Sequence, residues 1–262
     1  MKTTKVISYI VNWLNDYLKN SGAKGLVVGV SGGIDSAVVS TLAAKTGSPV
    51  LLLEMPIHQA EDQVTRAREH IKFLTDQFGN VAGKTINLTS SFEALKSDLH
   101  ADESHEKNNL SLANTRSRLR MTALYYYAGI NNYLVCGTGN KIEDFGIGFF
   151  TKYGDGGVDI SPIADLLKSQ VFEIAKELKI SESIQKAKPT DGLWTDDRSD
   201  EDQIGASYPE LEWAMKAHED HKASDFSGRQ REAFDIYERL NKLAQHKIEP
   251  IPVCVIPKEL LE

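Results

Sequence analysis

Residues Leu26 to Ser36 read Leu-Val-Val-Gly-Val-Ser-Gly-Gly-Ile-Asp-Ser, and this stretch decides the fold. Its first five residues are mostly apolar and rich in valine, which predicts a short buried strand. Gly32 and Gly33 then interrupt that pattern, and the residues from Ile34 onward have helical spacing. The stretch therefore predicts a strand, a glycine loop and a helix in succession.

The glycine loop between this strand and helix is suited to a phosphate group. Loops of this kind point backbone N–H groups and the positive end of the helix dipole at a ligand above the strand. Ser31 and Ser36 add hydroxyl donors. Asp35 would repel a phosphate unless a cation lay between them, and Mg²⁺ binds carboxylates together with phosphate oxygens. The alternative is an ordinary tight turn in which Asp35 only complements the helix dipole.

The complete string Ser-Gly-Gly-Ile-Asp-Ser favours the phosphate-binding interpretation. It resembles the SGGxDS loop of the adenine nucleotide alpha hydrolases, which cleave ATP between its α and β phosphates. It is not a Walker A loop, because no Gly-Lys-Ser/Thr follows, and it lacks the Gly-x-Gly-x-x-Gly spacing of dinucleotide-binding loops. The resemblance predicts an enzyme that splits ATP.

The composition limits the classes of protein that are compatible with this sequence. The chain has 262 residues and is 41% hydrophobic, and we expect a single domain over residues 1–262. The net charge of −7 argues against broad binding to nucleic acid or anionic membrane. Two cysteines, Cys136 and Cys254, are too few for a disulfide framework. Because the sequence shows no signal peptide or apolar span, we expect a cytoplasmic protein.

Alternating helix and strand patterns continue along the chain. Helices are predicted at residues 2–20, 34–45, 61–78 and 110–129, and further strands at 50–55, 85–88 and 133–137. This alternation predicts an α/β fold with a doubly wound parallel sheet. After Asp165 the pattern is almost entirely helical, and the polar residues 188–203 are expected to form a mobile loop.

Two short-range features lie between these elements. Ser90 and Glu93 have capping-box spacing, which predicts that they open another helix. His58 follows the predicted strand at 50–55 and could touch a nucleotide there. We expect a solvated loop histidine instead, because nothing else in the loop pairs with it.

A second loop rich in glycine and charge follows the strand at 133–137. It reads GTGNKIE over residues 137–143 and FTKYGDGGVD over residues 150–159. Ordering such a loop costs conformational entropy, so it predicts a second ligand-binding segment rather than a mere connection. An EF-hand that begins at Asp155 is excluded, because its twelfth position is Leu166 instead of a carboxylate.

The order of motifs along the chain resembles that of ammonia-dependent NAD synthetase. SGGxDS is followed by GTxNKxE, FTKYGDGG, KPTxxL and a terminal His-Lys pair, over about residues 26–247. FTKYGDGG and KPTxxL are far more specific than the phosphate loop alone. The resemblance implies a Rossmann-like domain with a helical C-terminal part, in an obligate homodimer. Because Leu26 lies so near the start, we expect no glutaminase domain before it.

The resemblance also implies a two-step reaction. ATP transfers AMP to the nicotinate carboxylate of deamido-NAD and releases pyrophosphate, and ammonia then displaces AMP to give NAD. Mg²⁺ is the implied cofactor, and ATP is the co-substrate. We expect neither a side-chain nucleophile nor a histidine base, since neutral ammonia attacks unaided.

Individual roles follow from the matching motifs. Asp35 and Glu143 match the magnesium ligands, and Lys168 matches the lysine on the phosphates, so these three are the implied catalytic residues. The implied ATP contacts are Gly29, Val30, Ser31, Gly32, Gly33, Ile34, Asp35, Ser36, Thr138, Lys168 and Thr190. The implied deamido-NAD contacts are Arg118, Lys152, Asp159, His246 and Lys247, of which the last two would reach in from the partner subunit.

Departures from the family pattern and rival interpretations stay open on the sequence. Gly139-Asn140 stands where some relatives carry histidine, and Ile248 stands where arginine is expected after His-Lys. Taken alone, Lys168 and Glu143 would be ordinary surface charges. One rival is another enzyme of the same loop class, which would make GMP, a thiolated tRNA base or an amidated cofactor. A second rival is a non-catalytic nucleotide sensor.

Overall fold

A parallel four-stranded sheet forms the centre of the computed structural model, which describes residues 1–102, 104–189 and 199–261. The strand order is β3-β2-β1-β4. The strands are β1 (Gly25–Gly29), β2 (Val50–Glu54), β3 (Val81–Thr85) and β4 (Tyr133–Cys136). The predicted α/β fold with a parallel sheet is therefore confirmed.

The described helices connect and cover these strands. Their bounds are α1 (Thr3–Ser21), α2 (Ile34–Ala44), α3 (Glu61–Gln77), α4 (Thr89–Asp98), α5 (Asn108–Asn131), α6 (Lys168–Glu177), α7 (Glu182–Gln185), α8 (Asp200–Ile204), α9 (Tyr208–Ala217) and α10 (Gly228–Ile248). A π-helix spans Ile142–Ile147. None of the helices in the described ranges is long and apolar enough to cross a bilayer.

Side chains alternate between the two faces of β1, as the period of a strand requires. Leu26 and Val28 are buried in the core that contains α1, α2 and α6. Val27 points to the opposite face, where it packs in a cluster with Met121 and Leu124 of α5. Because β1 is covered on both faces, the sequence reads as a continuous apolar run.

Helix α2 is buried along nearly its whole length. Only Asp35 among its eleven residues is not buried. Burying each aliphatic side chain stabilises the fold by about 1.5–3 kcal/mol, so this helix is a rigid anchor. The glycine loop therefore connects two elements that are buried in the same core, β1 and α2.

Three local predictions differ from the structure. Strand β3 ends at Thr85 rather than beginning there. Helix α4 starts after Leu88 without a side-chain cap, so the predicted capping box is wrong. Glu93 pairs with His58 at 2.7 Å, and His58 is exposed on its loop, as expected. Residues 200–203 of the predicted mobile loop belong to α8, and residues 190–198 lie outside the described part of the chain.

Candidate active site

A cavity of ≈ 570 Å³ opens at the carboxyl ends of the strands. Its walls include residues 29–36 after β1, Met55 after β2 and residues 136–139 after β4. In open parallel sheets this edge is where ligands bind, at the point where the strand order reverses. Here β1 has β2 on one side and β4 on the other, which places the glycine loop at that reversal.

The glycine loop is held by its own serines. The N–H of Ser31 donates to Oγ of Ser36 at 3.2 Å, and the N–H of Gly33 donates to Oγ of Ser31 at 3.2 Å. The hydroxyl of Ser36 donates to the carbonyl of Gly33 at 3.0 Å. The first turn of α2 keeps N–H groups that have no partner within the helix, and they face this loop.

Gly32 allows the loop to lie against α3. Its φ is +86°, a region that favours glycine, and a Cβ atom there would lie 2.5 Å from the carbonyl oxygen of Gln63. Any side chain would therefore be both strained and in contact with the backbone of α3. Arg66, one turn further along α3, also lines the cavity.

Two carboxylates converge on one cation beside this loop. Nζ of Lys168 lies 2.6 Å from Oδ2 of Asp35 and 3.0 Å from Oε1 of Glu143. Lys168 is buried. The three side chains come from α2, the π-helix and the start of α6, so the fold brings together residues that are far apart in the sequence. This arrangement unites the three predicted catalytic residues.

The start of α6 determines where Lys168 lies. The N–H of Leu167 donates to Oε1 of Gln170 at 2.9 Å, which fixes the first turn. The N–H and hydroxyl of Ser169 both donate to Glu212 of α9 at 2.8 Å. A lysine at a helix N-terminus opposes the helix dipole, so Lys168 depends on the nearby carboxylates for compensation.

Asn140 links the two carboxylates through one buried amide. Its Nδ2 donates to Oδ1 of Asp35 at 3.1 Å. Its Oδ1 accepts the N–H groups of Ile142 and Glu143, at 3.1 Å and 3.2 Å. Asn140 therefore ties the start of the π-helix to the start of α2.

Tyr208 contacts the same cluster from α9. Its hydroxyl donates to Oε1 of Glu143 at 2.6 Å. Nζ of Lys168 lies 4.7 Å from the centroid of its ring, which is a cation–π contact. Sequence reasoning gave no role to Asn140 or Tyr208. Asn140 lay within a quoted motif, whereas no sequence signal connects Tyr208 to Glu143.

The electrostatics show an excess of negative charge. Burial alone would lower the pKa of Lys168, but Asp35 and Glu143 outweigh it and raise that pKa above its usual range. Burial, followed by the neighbouring carboxylates of Glu143, Asp155 and Asp35, raises the pKa of Asp144 to about 8. The cavity therefore favours a bound cation.

The predicted dinucleotide contacts form a chain of hydrogen bonds at the cavity wall. Nε of Arg118 donates to the carbonyl of Lys152 at 3.2 Å, and Nζ of Lys152 donates to the carbonyl of His246. Nζ of Lys247 donates to the carbonyl of Phe150 at 2.7 Å. The sequence predicts that His246 and Lys247 reach in from a partner subunit, but here both line the cavity of their own chain.

The three remaining predicted site residues differ from one another in where they lie relative to the cavity. Thr138 lines the cavity. Asp159 does not line it, because its carboxylate accepts the hydroxyl of Tyr125 at 2.9 Å and the N–H of Val135 at 2.8 Å. Burial and the bond to Asp159 raise the pKa of Tyr125 to about 12. Thr190 lies outside the described residues.

Comparison with known proteins identifies relatives over the whole fold. The family model described as NAD synthase matches residues 6–250. The NH(3)-dependent NAD(+) synthetase of Carboxydothermus hydrogenoformans is 40% identical over 239 residues, which is 91% of this chain and 92% of that protein.

Two solved structures have similar folds. The NMN synthetase of Francisella tularensis has a TM-score of 0.83 and 33% identity, and the match covers 98% of this chain and 99% of that one. The NH3-dependent NAD synthetase of Campylobacter jejuni has a TM-score of 0.77 and 27% identity, and the match covers 97% of this chain and 100% of that one.

Proposed function

Because this chain belongs to the NAD synthase family, as a ligase that amidates deamido-NAD to NAD with ammonia and ATP, we propose that its reaction passes through an adenylated nicotinate. The observation that carries this proposal is the convergence of Asp35 and Glu143 on one cation directly beside the glycine loop. A loop for phosphate and a pair of carboxylates for a metal are the parts that AMP transfer needs.

Mg²⁺ is the cofactor in this proposal, and Asp35 and Glu143 are its ligands. The two carboxylates fit it because they already converge on a stand-in cation, the ammonium of Lys168. The described residues hold no group of three or more candidate metal ligands, and Mg²⁺ suits such a site because substrate phosphates complete its shell. When bound, Mg²⁺ would neutralise the charge that develops on the phosphate oxygens.

The chain's own residues bind and orient the substrates. The N–H groups of the glycine loop and of the first turn of α2 hold the phosphates, together with Thr138 and Thr190. Lys168 offsets the charge on the leaving pyrophosphate. Most of the remaining rate enhancement comes from positioning the nicotinate carboxylate against the α-phosphate, since the chemistry needs no side-chain nucleophile.

The deamido-NAD site is proposed to include Arg118, Lys152, His246 and Lys247. All four line the cavity, and their cationic and polar groups suit a dinucleotide with two phosphates. Asp159 remains a prediction, since it contacts Tyr125 and the backbone of β4 instead. We also propose one domain over residues 1–262, a homodimer, and work in the cytoplasm, where ATP is available.

A product assay tests this function. The protein is incubated with ATP, Mg²⁺, ammonium and deamido-NAD, and NAD, AMP and pyrophosphate are measured. We expect the three products in equal amounts, and much less NAD when glutamine replaces ammonium. Formation of ADP and phosphate would contradict the proposed mechanism. ATP binding without any NAD would favour the nucleotide sensor.

Nicotinate mononucleotide is a second candidate acceptor. The solved structure with the TM-score of 0.83 is named an NMN synthetase, and amidation of this mononucleotide would be the same chemistry. The ratio of kcat/KM for the two acceptors decides between them. We expect deamido-NAD to be preferred, and a higher kcat/KM for the mononucleotide would reassign the substrate.

A further inference from the structure

The backbone around Tyr208 is held by a set of hydrogen bonds. Its N–H donates to Oε1 of Glu201 at 2.8 Å. The N–H and hydroxyl of the preceding Ser207 donate to Glu210 at 2.8 Å and 2.9 Å, which forms a capping box. Glu210 is in turn held by Arg229 at 2.7 Å and 2.9 Å. The position of the first turn of α9, and with it the Cα–Cβ bond of Tyr208, is therefore fixed.

From this fixed base the phenol reaches the charged cluster. Tyr208 is 4% exposed, and its hydroxyl lies 2.6 Å from Oε1 of Glu143 and 3.4 Å from Oδ2 of Asp200. The same Oε1 of Glu143 also accepts Lys168. Neither bond uses Oε2 of Glu143, so both donors set the direction in which that second oxygen points.

A bound metal would affect the two donors to Glu143, Lys168 and Tyr208, differently. Lys168 occupies the position on which both carboxylates converge, so a metal that binds there must displace its ammonium. The phenol approaches Glu143 from α9 and does not lie between the carboxylates. When the ammonium moves away, the hydroxyl of Tyr208 still donates to Glu143 and so still orients its carboxylate. A glutamate side chain has three rotatable bonds, so a hydrogen bond to its carboxylate limits the rotamers that it can adopt.

We propose that Tyr208 is a positioning residue that holds the Glu143 carboxylate in the orientation that binds the active-site cation. This inference rests on the proposed function for the role of Glu143 as a metal ligand and for the identity of that cation. Partners that orient a metal ligand typically contribute 10- to 100-fold to metal affinity. The hydroxyl of Tyr208 is the part that matters, because its ring would still pack against Lys168 without it.

The test is Tyr208→Phe, with Tyr237→Phe as the matched control. Tyr237 is 3% exposed in the same apolar cluster as Tyr208, and the described residues show no hydrogen bond from its hydroxyl to Asp35, Glu143 or Lys168. Binding of Mn²⁺ is measured by electron paramagnetic resonance in the presence of a non-hydrolysable ATP analogue. Thermal unfolding of both variants confirms that they fold.

We expect Tyr208→Phe to weaken Mn²⁺ binding about tenfold and Tyr237→Phe to leave it unchanged. In a Glu143→Gln background, Tyr208→Phe should cause no further loss, because its target carboxylate is gone. Equal Mn²⁺ affinities for Tyr208→Phe and the unmodified chain would overturn the proposal. So would an equal loss in Tyr237→Phe.

A second measurement separates this role from a structural one. Tyr208→Phe should raise the Mg²⁺ concentration that gives half-maximal activity, while the KM for deamido-NAD stays within twofold. A general loss of folding would instead change both. Because Mn²⁺ binding needs no turnover, it tests Tyr208 even if no NAD forms, in which case the proposed function fails and the positioning role is judged separately.

Discussion

The glycine loop and the charged cluster sit side by side in the cavity, but they are built in opposite ways. The loop consists of residues 30–36, and its serine contacts span at most five residues. In the cluster, Asp35 contacts Asn140 across 105 positions and Lys168 across 133. Glu143 contacts Tyr208 across 65 positions. One site is local, and the other exists only once the chain has folded.

This difference determines how each region responds to substitution. The loop is supported by β1 before it and α2 after it, both buried. A change within the loop therefore alters local geometry and leaves the rest of the fold intact. The cluster contains buried charges that compensate each other. Removing one member therefore leaves the others as buried charges without compensation. The following substitutions test this contrast, from the largest expected effect to the smallest.

Lys168→Met should have the largest effect, because it leaves two buried carboxylates facing each other. We expect the free energy of unfolding to fall by about 3–5 kcal/mol and activity to be lost. Millimolar Mg²⁺ should restore part of the loss by taking the place of the ammonium. The measurement is denaturant unfolding with and without Mg²⁺. A variant as stable as the unmodified chain would contradict the claim that Lys168 compensates the two carboxylates.

Asp35→Asn and Glu143→Gln should each reduce pyrophosphate release by at least about a hundredfold while the fold survives. The amide keeps the shape of the side chain but removes the charge that would bind the metal. Asp165→Asn is the control, because among the described residues its exposed carboxylate pairs only with Lys141, at 2.9 Å. Near-normal turnover of either cluster variant in the presence of Mg²⁺ would exclude that residue as a ligand.

A buried polar pair outside the cavity should affect stability alone. Burial lowers the pKa of His70 to about 4, and its Nε2 lies 3.0 Å from Oγ of Ser40. Between pH 6.5 and 4 the unfolded chain binds a proton that the folded chain excludes, so stability falls as the pH falls. At pH 5 this contribution amounts to about 2 kcal/mol.

Comparison with His70→Gln isolates this contribution from other titrating groups. Unfolding is measured from pH 7.5 to pH 4.5, and the stability of the variant should fall less steeply with acid than that of the unmodified chain. Parallel curves would mean that His70 titrates normally. ATP affinity at pH 7.5 should be the same for both proteins.

Gly32→Ala tests the local region and should have the smallest effect on folding. We expect about tenfold weaker ATP binding, because the new Cβ would lie 2.5 Å from the carbonyl oxygen of Gln63 and displace the loop. Gly47→Ala is the matched control, since its φ is +76° and no atom lies within 4 Å of its Cβ position. Gly47→Ala should lose about 1 kcal/mol of stability from backbone strain. Gly32→Ala should lose more than that because of the added contact with α3, and it alone should lose ATP affinity.

The same contrast explains how much could be predicted from the sequence. Residues 26–36 encode a strand, loop and helix locally, so that unit was predicted correctly. Strand β3 was misplaced because its residues from Ala82 to Thr85 are exposed and include Gly83 and Lys84, which gives a weak strand pattern. The sequence also gave no indication of the π-helix at Ile142–Ile147.

The candidate site was accessible only through the order of its motifs. No spacing rule predicts that Lys168 lies between Asp35 and Glu143, since these contacts depend on how α6 and the π-helix pack. The phenol of Tyr208 was missed for the same physical reason. The motif match also assigns a role to Asp159, and this stays a prediction, since the carboxylate of Asp159 accepts the N–H of Val135 in β4.

Exchange of labelled pyrophosphate into ATP tests the central claim most directly. If the loop and the charged cluster together transfer AMP to the nicotinate carboxylate, the label should enter ATP when deamido-NAD and Mg²⁺ are present and ammonium is absent. The exchange should disappear without deamido-NAD and in Glu143→Gln. Formation of NAD from ammonium by a protein that shows no such exchange would contradict the proposed adenylated intermediate.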